Sequence, residues 1–244
     1  MKKSLLLLSI FSIVMLSLSA CTINMVTGNG QLQTQTRDVS GFNSVLFAGL
    51  GDVTIVQGQN EGLKIEAESN IMQLIITTVQ NGQLYIGFER QNWQDIVRPT
   101  KTLKFTLSVK NLNAIEISGV GSLSADSLNA EDLMIKVGGA GGVTIKDLQA
   151  SSLTAIMSGA GNLDISGKVN SLNATLSGVG NFSCGNLQAN TAKVNVTGAG
   201  GAKVWASNSL SVSITGAGSV SYYGNPTIAK NITGLGVMNQ LGNK

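Results

Sequence analysis

The residues that most often carry enzyme chemistry are few in this sequence and widely spaced. The chain contains no histidine, which removes the commonest general base and the commonest metal ligand. Asp126, Asp147 and Asp164 stand seven, eight and five residues after the first glycine of a recurring Gly-x-Gly element. They share no repeat position, whereas glycoside hydrolysis needs two carboxylates about 5 to 9 Å apart. We interpret them as solvated charges and predict a protein that is not an enzyme and uses no metal or other cofactor.

Two aromatic residues form the candidate binding surface. Trp205 and Tyr223 each stand seven residues after the first glycine of such an element, at positions expected to point outward and to stack on neighbouring repeats. An exposed aromatic pair can hold a sugar ring or anchor a protein partner. The alternative is that another segment covers both rings.

The chain has two cysteines with different predicted fates. Residues 1–20 carry Lys2 and Lys3 and then an apolar run too short for a membrane span, which is typical of a signal peptide. The following Leu18-Ser19-Ala20-Cys21 resembles the lipobox of bacterial lipoprotein precursors, which implies cleavage before Cys21 and acylation of its thiol and amino group. The alternative is an ordinary signal peptide with an incidental cysteine.

Charge argues against a nucleic-acid partner. Without residues 1–20 the chain keeps 14 basic and 13 acidic side chains, and no basic cluster with interleaved aromatics is present. Because Cys21 is assigned to lipidation, Cys184 has no disulfide partner, and its inward position predicts an inert core thiol.

Regular repeats predict the fold. The first glycines of the Gly-x-Gly elements are separated by 20, 20, 19, 20, 18 and 18 residues, which is the spacing of a solenoid. They are Gly119, Gly139, Gly159, Gly178, Gly198, Gly216 and Gly234.

Alternation around each element indicates strands. Apolar residues stand two before, four after and six after the first glycine, as in Val196, Ala202 and Val204, with polar residues between them. Period two with one apolar face is a half-buried strand. We predict an all-β protein, a parallel β-helix (β-solenoid) with coils of 18–20 residues and apolar ladders along its core. A leucine-rich repeat is disfavoured, since its Leu-x-x-Leu-x-Leu pattern is missing.

Domain boundaries follow from the same pattern. We predict a signal peptide over 1–20, a flexible lipid-anchored tether over 21–30, and a β-solenoid domain over 31–244. In that domain, residues 31–110 are an irregular β region in which Gly49-Leu50-Gly51 stands apart from the series, and 111–238 are the regular coils. Residues 239–244 are polar and expected to fray.

The sequence resembles a known family at several short motifs. Arg37-Asp38-Val39-Ser40-Gly41-Phe42, Gly49-Leu50-Gly51-Asp52-Val53 and Asn81-Gly82-Gln83-Leu84, with the Ser-Gly-x-Gly and Thr-Gly-x-Gly repeats, are similar to the putative auto-transporter adhesin head, GIN domain. The resemblance covers about residues 31–238 and implies a right-handed β-helix.

The functional expectation is a non-catalytic, lipid-anchored envelope protein with an adhesin-like surface that binds protein or glycan. The alternatives are a structural envelope scaffold and a carbohydrate-active β-helix enzyme. The expected partners are the membrane, through the N-terminal lipid, and a glycan or envelope protein. In a Gram-negative host, Thr22 after the cysteine favours the outer membrane, because an aspartate there resembles an inner-membrane retention signal.

The lipid anchor gives the first testable prediction. Cys21→Ser should abolish labelling by fatty acid and move the protein from the membrane to the soluble fraction, because the only thiol in the lipobox is lost. Cys184→Ser is the control and should leave labelling unchanged. Labelled, membrane-bound Cys21→Ser protein would show that the anchor has been misassigned.

Overall fold

The structure is a computed structural model that describes residues 25–89 and 96–244. The predicted signal peptide and Cys21 lie outside the described residues. The described part contains one four-residue helix, α1 (Ser69–Met72), and no helix in it is long and apolar enough to cross a membrane. Its strands are β1 (Met25–Thr27), β2 (Leu32–Arg37), β3 (Ser44–Phe47), β4 (Leu50–Gln57), β5 (Gly62–Glu68), β6 (Ile75–Gln80), β7 (Gln83–Phe88), β8 (Ile96–Arg98), β9 (Lys104–Val109), β10 (Ala114–Ile117), β11 (Val120–Ala125), β12 (Leu128–Val137), β13 (Ala140–Met157), β14 (Ala160–Leu176), β15 (Val179–Val196), β16 (Ala199–Gly216), β17 (Ser219–Tyr223), β18 (Thr227–Gly234) and β19 (Val237–Gln240).

Strands β10 to β19 form a parallel β-solenoid, as the repeats predict. The described residues contain about six turns of the solenoid. Each strand pairs in parallel with its equivalent in the next coil, so that Leu176, Val196 and Ile214 are register partners. All three side chains are buried, which confirms both the repeat length and the inward parity predicted from alternation.

The long strands bend around the corners of the solenoid. In β13, Val143 and Ile145 are buried two residues apart, but the next buried residues are Leu148 and then Leu153. Each break in the period of two marks a place where the chain turns to a new side of the coil. Register shifts between β13 and β14 fall at the first of these breaks, between Ile145 and Leu148.

The Gly-x-Gly elements form corners where successive backbones nearly touch. A Cβ added to Gly161 would lie 1.6 Å from the carbonyl oxygen of Gly141, and one on Gly141 would lie 1.8 Å from that of Gly121. No side chain larger than hydrogen fits at such a distance. Glycine is therefore needed at these positions for two reasons, the close approach of the neighbouring coil and the bend in the chain.

The irregular N-terminal region contains a full coil of the same stack. Gly51 is the register partner of Gly121 across β4 and β11, and β3 pairs in parallel with β10. On the other side, β3 pairs with β7 and β4 with β9, again in parallel. The Gly49-Leu50-Gly51 copy thus belongs to the series in space, although 70 residues separate Gly51 from Gly121.

Antiparallel strands close this end of the stack. β5 pairs with β9 and β2 with β5, while β6 and β7 form a hairpin. The hairpin turns at Asn81 and Gly82, both in the left-handed region with φ of 50° and 75°, as the Asn-Gly turn signal indicates. We call this closed end of the stack the cap. It covers a sheet edge that would otherwise expose unpaired backbone groups.

The predicted tether is wrong for residues 25–30. β1 pairs in parallel with β8, and the Gly28 amide donates to the Arg98 carbonyl at 2.9 Å. The Gly30 amide donates to the Glu68 carboxylate at 2.6 Å. These bonds join residues distant in sequence, so composition alone does not reveal them.

Glu68 is a buried carboxylate that joins three segments of the cap. Besides the Gly30 amide, it accepts hydrogen bonds from the Thr100 amide at 2.8 Å, the Thr100 hydroxyl and the Lys101 amide at 3.3 Å. Burial alone would raise the pKa of the Glu68 carboxyl, but the four hydrogen bonds outweigh it and lower that pKa to about 2. The folded state therefore favours the ionised form.

Glu68→Gln should lower the melting temperature by several degrees at pH 7, because an amide nitrogen cannot accept these bonds. Because folding lowers the pKa of Glu68, its ionised carboxylate contributes its full stabilisation of the fold at pH values above the ordinary glutamate pKa of 4.5. This contribution is lost as the pH falls toward about 2, so wild type and variant should converge over that window. Glu66→Gln, which removes a partly exposed ion pair with Lys104, is the control and should change little. Equal melting temperatures for wild type and Glu68→Gln at pH 7 would contradict this role.

Candidate functional site

The aromatic pair Trp205 and Tyr223 lies on the outer face of the last coils. The two residues are register partners across β16 and β17, and both side chains are half-buried. Their neighbours Val204 and Tyr222 point into the core. The outward orientation and the stacking predicted from their repeat position are both present.

Residues 241–244 fold back over the aromatic pair. The Leu241 amide donates to the Tyr222 carbonyl at 2.8 Å, and the Gly224 amide donates to the Gly242 carbonyl at 2.9 Å. The ammonium of Lys244 lies 4.5 Å from the ring centroid of Tyr223 and 5.7 Å from that of Trp205. The expectation that residues 239–244 fray is wrong for residues 239–242, because their backbone pairs with the last coil.

Polar side chains continue the line of the aromatic pair along the solenoid. Gln149, Lys168, Gln188, Trp205 and Tyr223 are successive register partners, and we call them the outward ladder. A shallow groove of about 460 Å³ lies beside its first three members and is also lined by Asn170, Asn190 and Ser207. The Asn190 amide donates to the Asn170 side-chain oxygen at 3.2 Å.

Counting from the glycines does not reveal this ladder. Gln188 stands ten residues after Gly178, whereas Trp205 stands seven after Gly198. Three residues of β15 between Cys184 and Gln188 have no partner in β16, and this bulge brings the two side chains into register. The bulge itself leaves no clear signal in the sequence.

The other residues singled out from the sequence do not join this surface. Cys184 is buried, and burial raises the pKa of its thiol well above the ordinary range. Asp126 pairs with Lys146 at 2.7 Å, and Asp147 accepts a hydrogen bond from Gln149 at 2.7 Å. In residues 25–89 and 96–244, no three His, Cys, Asp or Glu side chains lie close enough to share a metal ion.

The middle residues of the Gly-x-Gly elements project outward. Val120 is 52% exposed, Val179 64% and Leu235 85%. The glycines on each side bring the backbones together, which leaves the residue between them on the convex side of the corner. The resulting apolar stripe comprises Val120, Ala140, Ala160, Val179, Ala199, Ala217 and Leu235.

Comparison with known proteins identifies the family of this chain. The sequence profile of the putative auto-transporter adhesin, head GIN domain, matches residues 41–226. The chain belongs to this family. It is therefore an adhesin-like module, and such a protein acts at the cell envelope or surface. No curated protein matches the chain.

Solved structures share the fold of this GIN-domain protein. A putative adhesin from Bacteroides fragilis is 28% identical with a TM-score of 0.84, and the alignment covers 88% of this chain and 100% of that one. A putative lipid binding protein from Parabacteroides distasonis is 24% identical with a TM-score of 0.76, covering 89% and 100%. A putative adhesin from Parabacteroides merdae is 19% identical with a TM-score of 0.68, covering 89% and 99%. The family and two of these three structures carry the names of adhesins and none carries that of an enzyme.

Proposed function

We propose that this protein is a non-catalytic, lipid-anchored module of the cell envelope that binds a glycan along the outward ladder. The observation that carries the proposal is the aromatic pair, held in register on adjacent coils at the end of a row of amide and ammonium side chains. The adhesin-like family supports a binding role.

The ladder offers the two kinds of contact that a sugar needs. Aromatic rings receive the apolar face of a pyranose, and the side chains of Gln149 and Gln188 can both donate and accept hydrogen bonds to hydroxyl groups. Successive side chains lie about 4.8 Å apart, a spacing comparable with the length of one sugar unit. A linear glycan parallel to the solenoid axis would therefore meet one ladder residue per unit.

The lipid anchor orients this surface away from the membrane. Only three residues lie between Cys21 and the start of β1 in the sequence, so an anchor at Cys21 would tether the chain next to this strand. Residues 28–30 bond to Arg98 and to Glu68 of the cap. Six coil-to-coil steps, or about 29 Å, separate β9 at the capped end from β16, which carries Trp205. Anchoring by Cys21 rests on the lipobox residues, and it presents the aromatic pair outward.

The double substitution Trp205→Ala with Tyr223→Ala tests the binding surface. On a glycan array, we expect it to weaken binding of any recognised glycan at least tenfold, about 1.4 kcal/mol. The melting temperature should change little, because both side chains point away from the core.

Tyr85→Ala is the matched control, since Tyr85 is half-buried on β7 in the opposite half of the stack. It should leave glycan binding unchanged. If the double variant binds as the wild type does, or if the wild type binds only proteins, the glycan site is wrong. A large loss of stability in the double variant would mean that the two rings serve the fold.

A further inference from the structure

The Lys244 ammonium lies in a small site beside the aromatic pair. We call this site the seat, and it is formed by Trp205, Tyr223, Gly185 and Asn186. Besides its position over the rings of Tyr223 and Trp205, it donates to the Gly185 carbonyl at 2.7 Å and to the side-chain oxygen of Asn186. Two ring faces and two neutral oxygens thus surround one primary ammonium. Among residues 25–89 and 96–244, no carboxylate pairs with it.

The bulge in β15 builds this seat. Gly185 and Asn186 belong to the three residues between Cys184 and Gln188 that have no partner in β16, so the Gly185 carbonyl is free of the ladder between these strands and the Asn186 side chain lies beside it. A Cβ at Gly185 would lie 2.9 Å from the Lys203 side chain and 3.2 Å from the Tyr223 ring. Glycine therefore lets the carbonyl lie close to the ring, and the seat combines a cation–π contact with directed hydrogen bonds.

Few contacts hold the segment that fills the seat. Residues 241–244 are exposed, and Leu241 is 42% exposed. Their backbone is tied by the bonds at Leu241 and Gly242, and the Lys244 side chain reaches the rings. An exposed segment with so few bonds opens at low free-energy cost.

We propose that the seat formed by Trp205, Tyr223, Gly185 and Asn186 binds the protonated amino group of an amino sugar, which displaces Lys244. This inference rests on the proposed function and specifies the glycan as one with free amino groups. The sugar ring would lie on an aromatic face while its ammonium replaces the Lys244 nitrogen. An N-acetylated sugar lacks the positive charge and cannot use the cation–π contact.

Other charges on this face are compatible with a sparsely charged ligand. Lys168 and Lys203 are exposed, so water and salt screen their repulsion of a bound amine. Lys244 itself shows that one ammonium is accommodated next to Lys203. The site therefore favours a glycan in which free amines are spaced apart.

The test compares a β-1,4-linked N-acetylglucosamine tetramer in which one unit carries a free, protonated amino group with the fully N-acetylated tetramer, by calorimetric titration of the purified protein. Lys244→Ala empties the seat, so it should bind the free-amine tetramer at least tenfold more tightly than the wild type does. It should also prefer that tetramer at least tenfold over the N-acetylated one. Lys230→Ala, which removes an exposed lysine of β18, is the control and should match the wild type.

Each other outcome is decisive. If both tetramers bind alike and Trp205→Ala abolishes binding, the glycan site stands but the amine seat is wrong. If Lys244→Ala does not tighten binding, the lysine does not compete for the seat. Binding of a lysine-containing tetrapeptide but of neither tetramer would overturn the amino-sugar assignment in favour of a protein partner. Failure of all three probes would overturn the inference, while the glycan array still tests the proposed function separately.

Discussion

The contact between successive backbones at the Gly-x-Gly corners is the constraint on which the rest of the structure depends. At the corners from Gly119 to Gly200, the carbonyl oxygen of one coil occupies the space that a Cβ of the next coil would need. Because the coils meet here with no intervening side chain, their strands stay within pairing distance and in register. The buried ladders, such as Leu176, Val196 and Ile214, follow from that register.

The same stacking produces the candidate site. Trp205 and Tyr223 are 18 residues apart in the chain, yet they are adjacent because their coils are in register. A local departure from regularity completes the site, since the bulge at Gly185 to Leu187 aligns Gln188 with Trp205 and places two oxygens beside the rings. Regular coils thus supply a rigid surface, and one irregular coil gives it a specific chemistry.

Sequence reasoning predicts what is periodic and misses what is not. The coil length, the inward positions and the outward aromatic pair all follow from spacing, because each coil repeats the same physical environment. Three features arise from pairings that spacing does not encode. They are the coil around Gly51, the strand β1 that replaces part of the expected tether, and the backbone pairing of residues 241–242.

The exposed middle residues of the Gly-x-Gly corners are another feature that the sequence does not predict. Their apolar character suggests burial, but Val179 is 64% exposed because the closest approach of the coils is made by the glycines on each side. Residue type alone cannot separate these alternatives, since a small apolar residue is common both in a tight bend and on its outer side. Only the distance between the stacked backbones decides between them.

The measurement that tests backbone stacking most directly is thermal unfolding of two glycine variants. Gly161→Ala places a methyl group against the Gly141 carbonyl, whereas at Gly201 the nearest atoms to an added Cβ are side-chain oxygens of Asn181 at 3.3 Å and Ser219 at 3.5 Å. Overpacking typically costs about 1 to 3 kcal/mol, so Gly161→Ala should lower the melting temperature by several degrees. Gly201→Ala should leave it nearly unchanged. Similar melting temperatures for the two variants would contradict the claim that close backbone contact at the corners governs this fold.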